Sequence, residues 1–366
     1  MARPDRPRVL VVGAGIVGSC AGYFLACRQA RVQLIDRDPD PSATTRASLG
    51  VLTHFRGGDD PYSTFYRDAH ALHGDLAREL REETGLDVGL RTPGGIDLAF
   101  GEAEAEEVLA RLRDRGGRCR WEWLEHERVR RLEPKVSSQV SGGVYFPDDH
   151  RVDPPALGQA LRTAAAQRGA EIRLGCELLR IEPGSDGVSA HVGEGNQSRE
   201  ERFDHAVLAA GSWTGELVAE AAGGPRIRPV RGQHCRYRGG AGVGHLLRWG
   251  SHHLIPAGDS ILVGATVEEA GFDTRTTEAA AAEFTAVFRR VLDIEPVVLS
   301  QRAGLRPKPR KGRPVIGPVD PSARLFVASG HYRNGVLLGP LTGKVLADWI
   351  VGGRPSRDMS FFAVRR

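Results

Sequence analysis

Lysine is almost missing from this chain. It supplies four of the 50 basic residues, Lys135, Lys308, Lys311 and Lys344, and arginine supplies the rest. With abundant alanine and glycine, that bias fits a GC-rich genome better than a nucleic-acid surface. The 46 acidic residues are interleaved with the basic ones, so a net charge of +4 gathers into no single large patch of the kind a nucleic-acid binder presents. Cysteine is sparse too. Cys20, Cys27, Cys119, Cys176 and Cys235 are odd in number, scattered and without a C-x-x-C pair, which argues against a disulfide framework and a zinc site. No apolar run of about 18 residues stands out as a membrane span. The residues from Met1 to Arg8 lack the long apolar stretch and cleavage site of a secretory leader, which leaves the cytoplasm as the default location. Low-complexity tracts and repeats of roughly 20–50 residues are also lacking, against disorder, solenoids and propellers.

What is present begins at residue 9. Val9-Leu10-Val11-Val12 reads as a strand buried on both faces of a parallel sheet. Gly13-Ala14-Gly15-Ile16-Val17-Gly18 follows at once and matches G-x-G-x-x-G. A helical pattern runs to Cys27, and a second strand, Val32–Ile35, ends at Asp36. Gly13 permits the tight turn, Gly15 the close approach of a pyrophosphate, and Gly18 the packing of helix on strand. The helix N-terminus offers free N–H groups and a positive dipole end to phosphates. Asp36 stands 18 residues after Gly18, where a carboxylate accepts from a ribose hydroxyl. The ordered strand, turn, helix, strand and acid point to dinucleotide binding. They do not separate NAD from FAD.

The length of 366 residues argues for two domains. Helices are expected over 62–84, with Leu72, Leu76 and Leu80 on one face, and over 102–115, with Val108, Leu109 and Leu112. Asp153-Pro154-Pro155 starts another helix ahead of 156–168. Val207–Gly211 reads as a short buried strand. Strands are also expected at 260–264 and 325–328, and helices at 278–292 and 342–351. Mixed β and α signals flank a more β-rich middle, as when one domain interrupts another.

Four further segments make the chain resemble the D-amino-acid oxidase family, and within it glycine oxidase. Thr44-Thr45-Arg46-Ala47-Ser48-Leu49-Gly50-Val51 resembles the family's flavin loop. Ala209-Ala210-Gly211-Ser212-Trp213 resembles its "aaGaW" segment. Leu262–Thr266 with Gly271-Phe272-Asp273 resembles its "vGaT…GFd" strand and turn. The most specific is the last: Ala303-Gly304-Leu305-Arg306-Pro307, then Pro314–Gly317, then Gly330-His331-Tyr332-Arg333-Asn334-Gly335. The resemblance implies an α/β fold: a Rossmann-like FAD-binding domain (8–85, 150–225 and 303–366) with an inserted α+β substrate domain rich in antiparallel sheet (86–149 and 226–302). It implies FAD rather than NAD, bound non-covalently, because no cysteine follows Cys235 to tether a flavin. The implied cofactor contacts are Gly13, Gly15, Ile16, Val17, Gly18, Asp36, Arg37, Thr44, Thr45, Leu49, Gly50, Val51, Leu178, Gly211 and the run His331, Tyr332, Arg333, Asn334, Gly335, Val336 and Leu337. A helix from about residue 339 would aim its N-terminal dipole at the reduced flavin.

The resemblance also implies an amine oxidoreductase acting on a small amino acid or amine that carries a carboxylate. Hydride passes from Cα to the flavin, the imine hydrolyses to an oxo acid and ammonia, and dioxygen is returned as hydrogen peroxide. Arg306 and Arg333 would hold the carboxylate, since a guanidinium pairs bidentately and keeps its charge; the plainer reading makes each a structural arginine. His253 stands where glycine oxidases usually place a tyrosine. It is either a substrate contact whose charge varies near pH 7 or an ordinary strand histidine. Arg302, Arg306, Lys308, Arg310, Lys311 and Arg313 form a cationic stretch, read either as a solvated loop or as an attractor of substrates with extra negative charge. A 2-hydroxy-acid dehydrogenase and a non-catalytic flavoprotein are the alternatives. No nucleic-acid or membrane partner is expected, and a homo-oligomer is compatible with the sequence.

Overall fold

The computed structural model describes residues 6–40, 43–53, 58–113, 119–222, 227–319 and 321–364. Two sheets carry the molecule. The first has six strands, ordered Val315–Pro318, Leu325–Ser329, His205–Leu208, Arg8–Val12, Arg31–Asp36 and Glu171–Leu174. All its pairs are parallel except the one between Val315–Pro318 and Leu325–Ser329. Its central strand, Val9 to Leu10 to Val11, is fully buried, as a parallel sheet covered on both faces requires.

Helices Ile16–Cys27, Pro154–Gln167 and Gly335–Gly352 lie on this sheet, and Pro61–Thr84 packs on the last two of them. Asp60 starts Pro61–Thr84 by accepting from Tyr62 N and Ser63 N, and Gly85, at φ +74°, ends it. Asp153 caps Pro154–Gln167 through Ala156 N, with both prolines in the first turn. The helix expected over 102–115 is Glu102–Arg113, and residues 114–115 lie outside those described. The last helix starts at Gly335, ahead of both expected starts, and takes Pro340 inside it. It is also apolar over 18 residues, against the expectation that no run of that length stands out. Two-thirds of that window is buried, against Ile16–Cys27 and Pro61–Thr84. A Cβ on Gly343 would stand 2.6 Å from the carbonyl carbon of Cys20, so glycine is what lets the two helices cross so closely.

The second sheet has eight strands, ordered Val298–Pro309, Ile227–Arg238, Ser260–Gly264, His252–Ala257, Leu246–Trp249, Gly95–Ala99, Gly142–Phe146 and Glu122–Glu125. One pair, Leu246–Trp249 with Gly95–Ala99, is parallel; the others are antiparallel. Helix Glu278–Val291, capped by Thr277, lays Phe284 and Phe288 on the sheet, Phe288 4.7 Å from the Tyr237 ring. A division at 302/303 falls inside the twelve-residue strand Val298–Pro309. That strand carries Arg306 from the antiparallel sheet to the edge of the nucleotide fold.

Candidate functional site

A cavity of about 560 Å³ runs between the carboxyl ends of the parallel strands and one face of the antiparallel sheet. Strand ends of an open α/β sheet are where such folds bind ligands.

At one end the glycine turn forms the wall. Gly13 has φ +102°, and a Cβ there would lie 2.6 Å from the Ala209 carbonyl oxygen. Gly13 N donates to Ile35 O (2.8 Å), and Gly15 caps the helix without a side chain. The Thr45 hydroxyl accepts from Ile16 N (3.2 Å), so this loop residue satisfies one of the free N–H groups of the helix. Asp36 accepts from Ala14 N (2.7 Å) and Asp38 N (3.0 Å). Burial raises its pKa, and those two N–H donors oppose the rise. Gly18 lies behind the wall. Its Cβ would stand 1.7 Å from the Gly13 carbonyl oxygen, so the third glycine serves the turn itself and not the ligand directly. Leu337 is likewise buried off the cavity, with its carbonyl facing His73 Nε2 at 3.0 Å.

Every other residue proposed from the sequence lines the cavity: Gly13, Gly15, Ile16, Val17, Asp36, Arg37, Thr44, Thr45, Leu49, Gly50, Val51, Leu178, Gly211, His253, Arg306 and the run His331–Val336. Sequence reading missed several others. Trp213 lies under Arg37 (4.3 Å) and beside Phe272 (5.2 Å), an aromatic floor at the nucleotide end. Arg162 donates to the Ala14 carbonyl (3.2 Å) and Ser19 Oγ (3.3 Å), bracing the turn from behind. It comes from a helix 148 residues away, and no local pattern marks it.

At the other end stand Arg306, Arg333 and His253, with Thr53 and Tyr66, whose hydroxyls are 2.6 Å apart. Arg306 donates through Nη1 to Thr266 O (2.8 Å). Burial, with Arg333 nearby, lowers its pKa to about 10, so it stays cationic at neutral pH. Gly232 makes its place, because a Cβ there would fall 2.1 Å from the guanidinium carbon. Arg333 is exposed and follows Tyr332, which holds the left-handed φ of +51°. Among the described residues neither arginine forms an ion pair, so two cations face the cavity without a protein carboxylate. Burial comes first among the causes that lower the His253 pKa to about 3, followed by Arg248, Arg333, His252 and Arg306. That lowering keeps the ring neutral near pH 7, unlike the variable charge that one of the two sequence readings gave it. His331 is also neutral and buried, its Nε2 3.0 Å from Thr342 Oγ1 and its Nδ1 without a partner among the described residues.

The cationic stretch is dispersed by the strand and turn that carry it. Arg306 lines the cavity, Lys308 pairs with Glu269 (3.5 Å), and Arg313 lies over the Phe361 ring (4.2 Å). Arg302, Arg310 and Lys311 are exposed. His252 points away to Glu283 (2.7 Å). Among the described residues no group of three or more His, Cys, Asp and Glu side chains could hold a metal.

The comparisons agree with this geometry. Residues 8–349 match the family described as FAD dependent oxidoreductase. A glycine oxidase of Geobacillus kaustophilus is 31% identical over 98% of this chain and 96% of its own length. The crystal structure of a glycine oxidase from Bacillus cereus superposes with a TM-score of 0.89 at 27% identity, covering 95% of this chain and 98% of that one. An iminodiacetate oxidase from a Chelativorans species gives 0.86 at 25%, covering 97% and 98%.

Proposed function

The chain belongs to the FAD-dependent oxidoreductase family matched over residues 8–349, and from that premise we propose that it oxidises the C–N bond of a small amine carrying a carboxylate, such as an amino acid. The observation that carries this reading is the pair of guanidiniums, Arg306 and Arg333, facing one end of the cavity with no ion-pair partner among the described residues. A substrate carboxylate is the natural partner for two such forks.

The residues present fit the cofactor. The Gly13–Gly18 turn, the helix N-terminus behind it and Asp36 would hold the diphosphate and ribose. Trp213 and Leu178 would flank the adenosine part, and the His331–Val336 run the ring system, non-covalently. When bound, FAD supplies a two-electron acceptor, which dioxygen can restore with release of peroxide. The protein's part is placement. Arg306 and Arg333 hold the carboxylate and so fix the adjoining carbon, while Tyr66, Thr53 and His253 close the wall around it. A neutral His253 offers one donor and one acceptor there, without adding a third positive charge.

Anaerobic mixing of the yellow protein with glycine, sarcosine, D- and L-amino acids, iminodiacetate and 2-hydroxy acids tests the reading. Loss of the oxidised-flavin colour with an amino acid, reversed by air with peroxide released, supports it. Bleaching by a hydroxy acid alone moves the activity to a hydroxy-acid dehydrogenase, with His253 beside the hydroxyl. No bleaching by any of them points to a non-catalytic flavoprotein.

A further inference from the structure

His253 belongs to a row of side chains that crosses the antiparallel sheet. Its strand partners are Arg248 on one side and Gly264 on the other, and Gly264 in turn opposes His234. Gly264 contributes no side chain, so the lateral neighbour that bears on His253 is Arg248. Arg248 is nearly buried, with 12% of its side chain exposed. Asp97 receives its Nε and Asp149 its Nη1, and Asp149 is fully buried. Its guanidinium carbon also lies 5.1 Å from the centroid of the Phe146 ring. Gly95 leaves the space for this bridge: a Cβ there would stand 2.6 Å from Asp149 Oδ2 and 2.9 Å from Arg248 Nη2. Two distant stretches of chain, Gly95–Asp97 and Phe146–Asp149, thus converge to hold one guanidinium beside His253.

We propose that Arg248, locked between Asp97 and Asp149, is a positioning residue that fixes His253 as an uncharged hydrogen-bonding wall of the site. This rests on the reading of that end of the cavity as the substrate site. Burial is the first influence against a charged His253, and Arg248 is the next; around the ring also stand Arg333, the adjacent His252 and Arg306, with Tyr66 and Thr53 on the same stretch of wall. The two carboxylates nearest Arg248, Asp97 and Asp149, are turned onto it and not onto the imidazole. Burial disfavours the Arg248 cation, but Asp97 and Asp149 outweigh that and raise its pKa, so the charge beside His253 is permanent. Neither ring nitrogen of His253 has a protein hydrogen-bond partner among the described residues, so both remain for the ligand. The consequence is a carboxylate site whose charge, set by Arg306 and Arg333, stays constant through the working pH range. Without Arg248 the negative charge of Asp97 and Asp149 would favour the imidazolium, and the site would gain a charge as the pH falls.

The test reads the ring directly. Histidine-ring ¹⁵N spectra of the holoenzyme, with no substrate, are recorded from pH 8 to 5 and assigned by difference with His253→Gln. The wild-type ring stays neutral throughout, and binding of acetate as a carboxylate probe is flat after correction for acetate's own titration. In Arg248→Met the His253 midpoint moves up into the measured range and acetate binds about tenfold tighter at pH 5 than at pH 8 on the same correction; Arg248→Lys restores the flat profile. If buried carboxylates prevent Arg248→Met from folding, the Arg248→Met/Asp97→Asn/Asp149→Asn protein leaves no charge behind and shows a smaller upward shift. A wild-type His253 that protonates between pH 8 and 5, or a midpoint unmoved by removal of Arg248, overturns the proposal. Because no substrate enters these spectra, that failure is distinct from failure of the amine-oxidase reading.

Discussion

The nucleotide end of the cavity is built from neighbours in sequence, and the substrate end from strangers. At the first, a strand, a glycine turn, a helix and an acid arrive within about thirty residues, and much of the wall is backbone. At the second, Thr53, Tyr66, His253, Arg306 and Arg333 come from five parts of the chain, and the wall is side chains. A backbone wall tolerates changes of side chain but no added atom where two main-chain segments touch. A side-chain wall can lose a function while the fold stands. The difference predicts where substitutions destroy the holoprotein and where they spare it.

Gly18→Ala should have the largest effect. The new Cβ would meet a main-chain oxygen, Gly13 O, at 1.7 Å, and neither the turn nor the helix can move without opening the other. Overpacking of this kind costs about 3 kcal/mol. We expect purified Gly18→Ala protein to carry little FAD and to melt at lower denaturant, read by flavin-to-protein absorbance and urea unfolding. Full FAD content with an unchanged melt would break the contrast between the two ends.

Arg306→Leu should do the reverse. Loss of a charge-assisted hydrogen-bonding partner is worth about 1.5–3 kcal/mol, so kcat/KM should fall about 100-fold with FAD content unchanged. Gly232→Ala sharpens the point. Its Cβ would collide with the guanidinium of Arg306, the far end of a flexible chain, which can swing aside. A fold and flavin content like wild type, with kcat/KM down about tenfold, would show that this glycine serves the arginine. Equal activity for Gly232→Ala and wild type would remove Gly232 from the site. Arg333→Leu should cost less than Arg306→Leu, because Arg333 is exposed and water takes up part of the loss.

The same contrast decides what could be read without a structure. Gly13, Gly15, Asp36 and the strands around them follow from period and spacing, because the motif is local. Arg306 and Arg333 were reached through family resemblance, since nothing in one sequence separates them from the other arginines. Gly232, Arg162 and Arg248 were not reachable at all. Each acts through pairing that joins distant segments: Gly232 opposite Gly304, Arg162 against Ala14, Arg248 between Asp97 and Asp149. The charge of His253 was open between two readings in the sequence, because the burial that chiefly lowers its pKa, and the Arg306 and Arg333 charges that add to it, come from tertiary packing. The helix Gly335–Gly352 was expected to start later because the glycine-rich signature ahead of it reads as loop, yet it packs against Ile16–Cys27 from its first turns.

Both regions hold neutral histidines, and that gives the smallest test, made one residue at a time. His73 and His331 are buried in the nucleotide fold; on the antiparallel sheet His234 is buried and His253 half-buried. Burial lowers all four, His73 and His234 to about 4, His253 and His331 to about 3. Their ordinary value is 6.5, so between that pH and the folded value the unfolded chain binds the extra proton. Stability is therefore complete above pH 6.5 and falls as the pH drops, by about 1.4 kcal/mol per histidine for each unit. His73→Gln keeps a donor for the Leu337 carbonyl but removes the titration. The difference in unfolding free energy between pH 7.5 and 5.5 should shrink by about 1.4 kcal/mol in that variant, measured by urea melts at both values. An unchanged difference would mean that His73 takes up its proton without unfolding, and that the nucleotide fold yields locally where the antiparallel sheet does not.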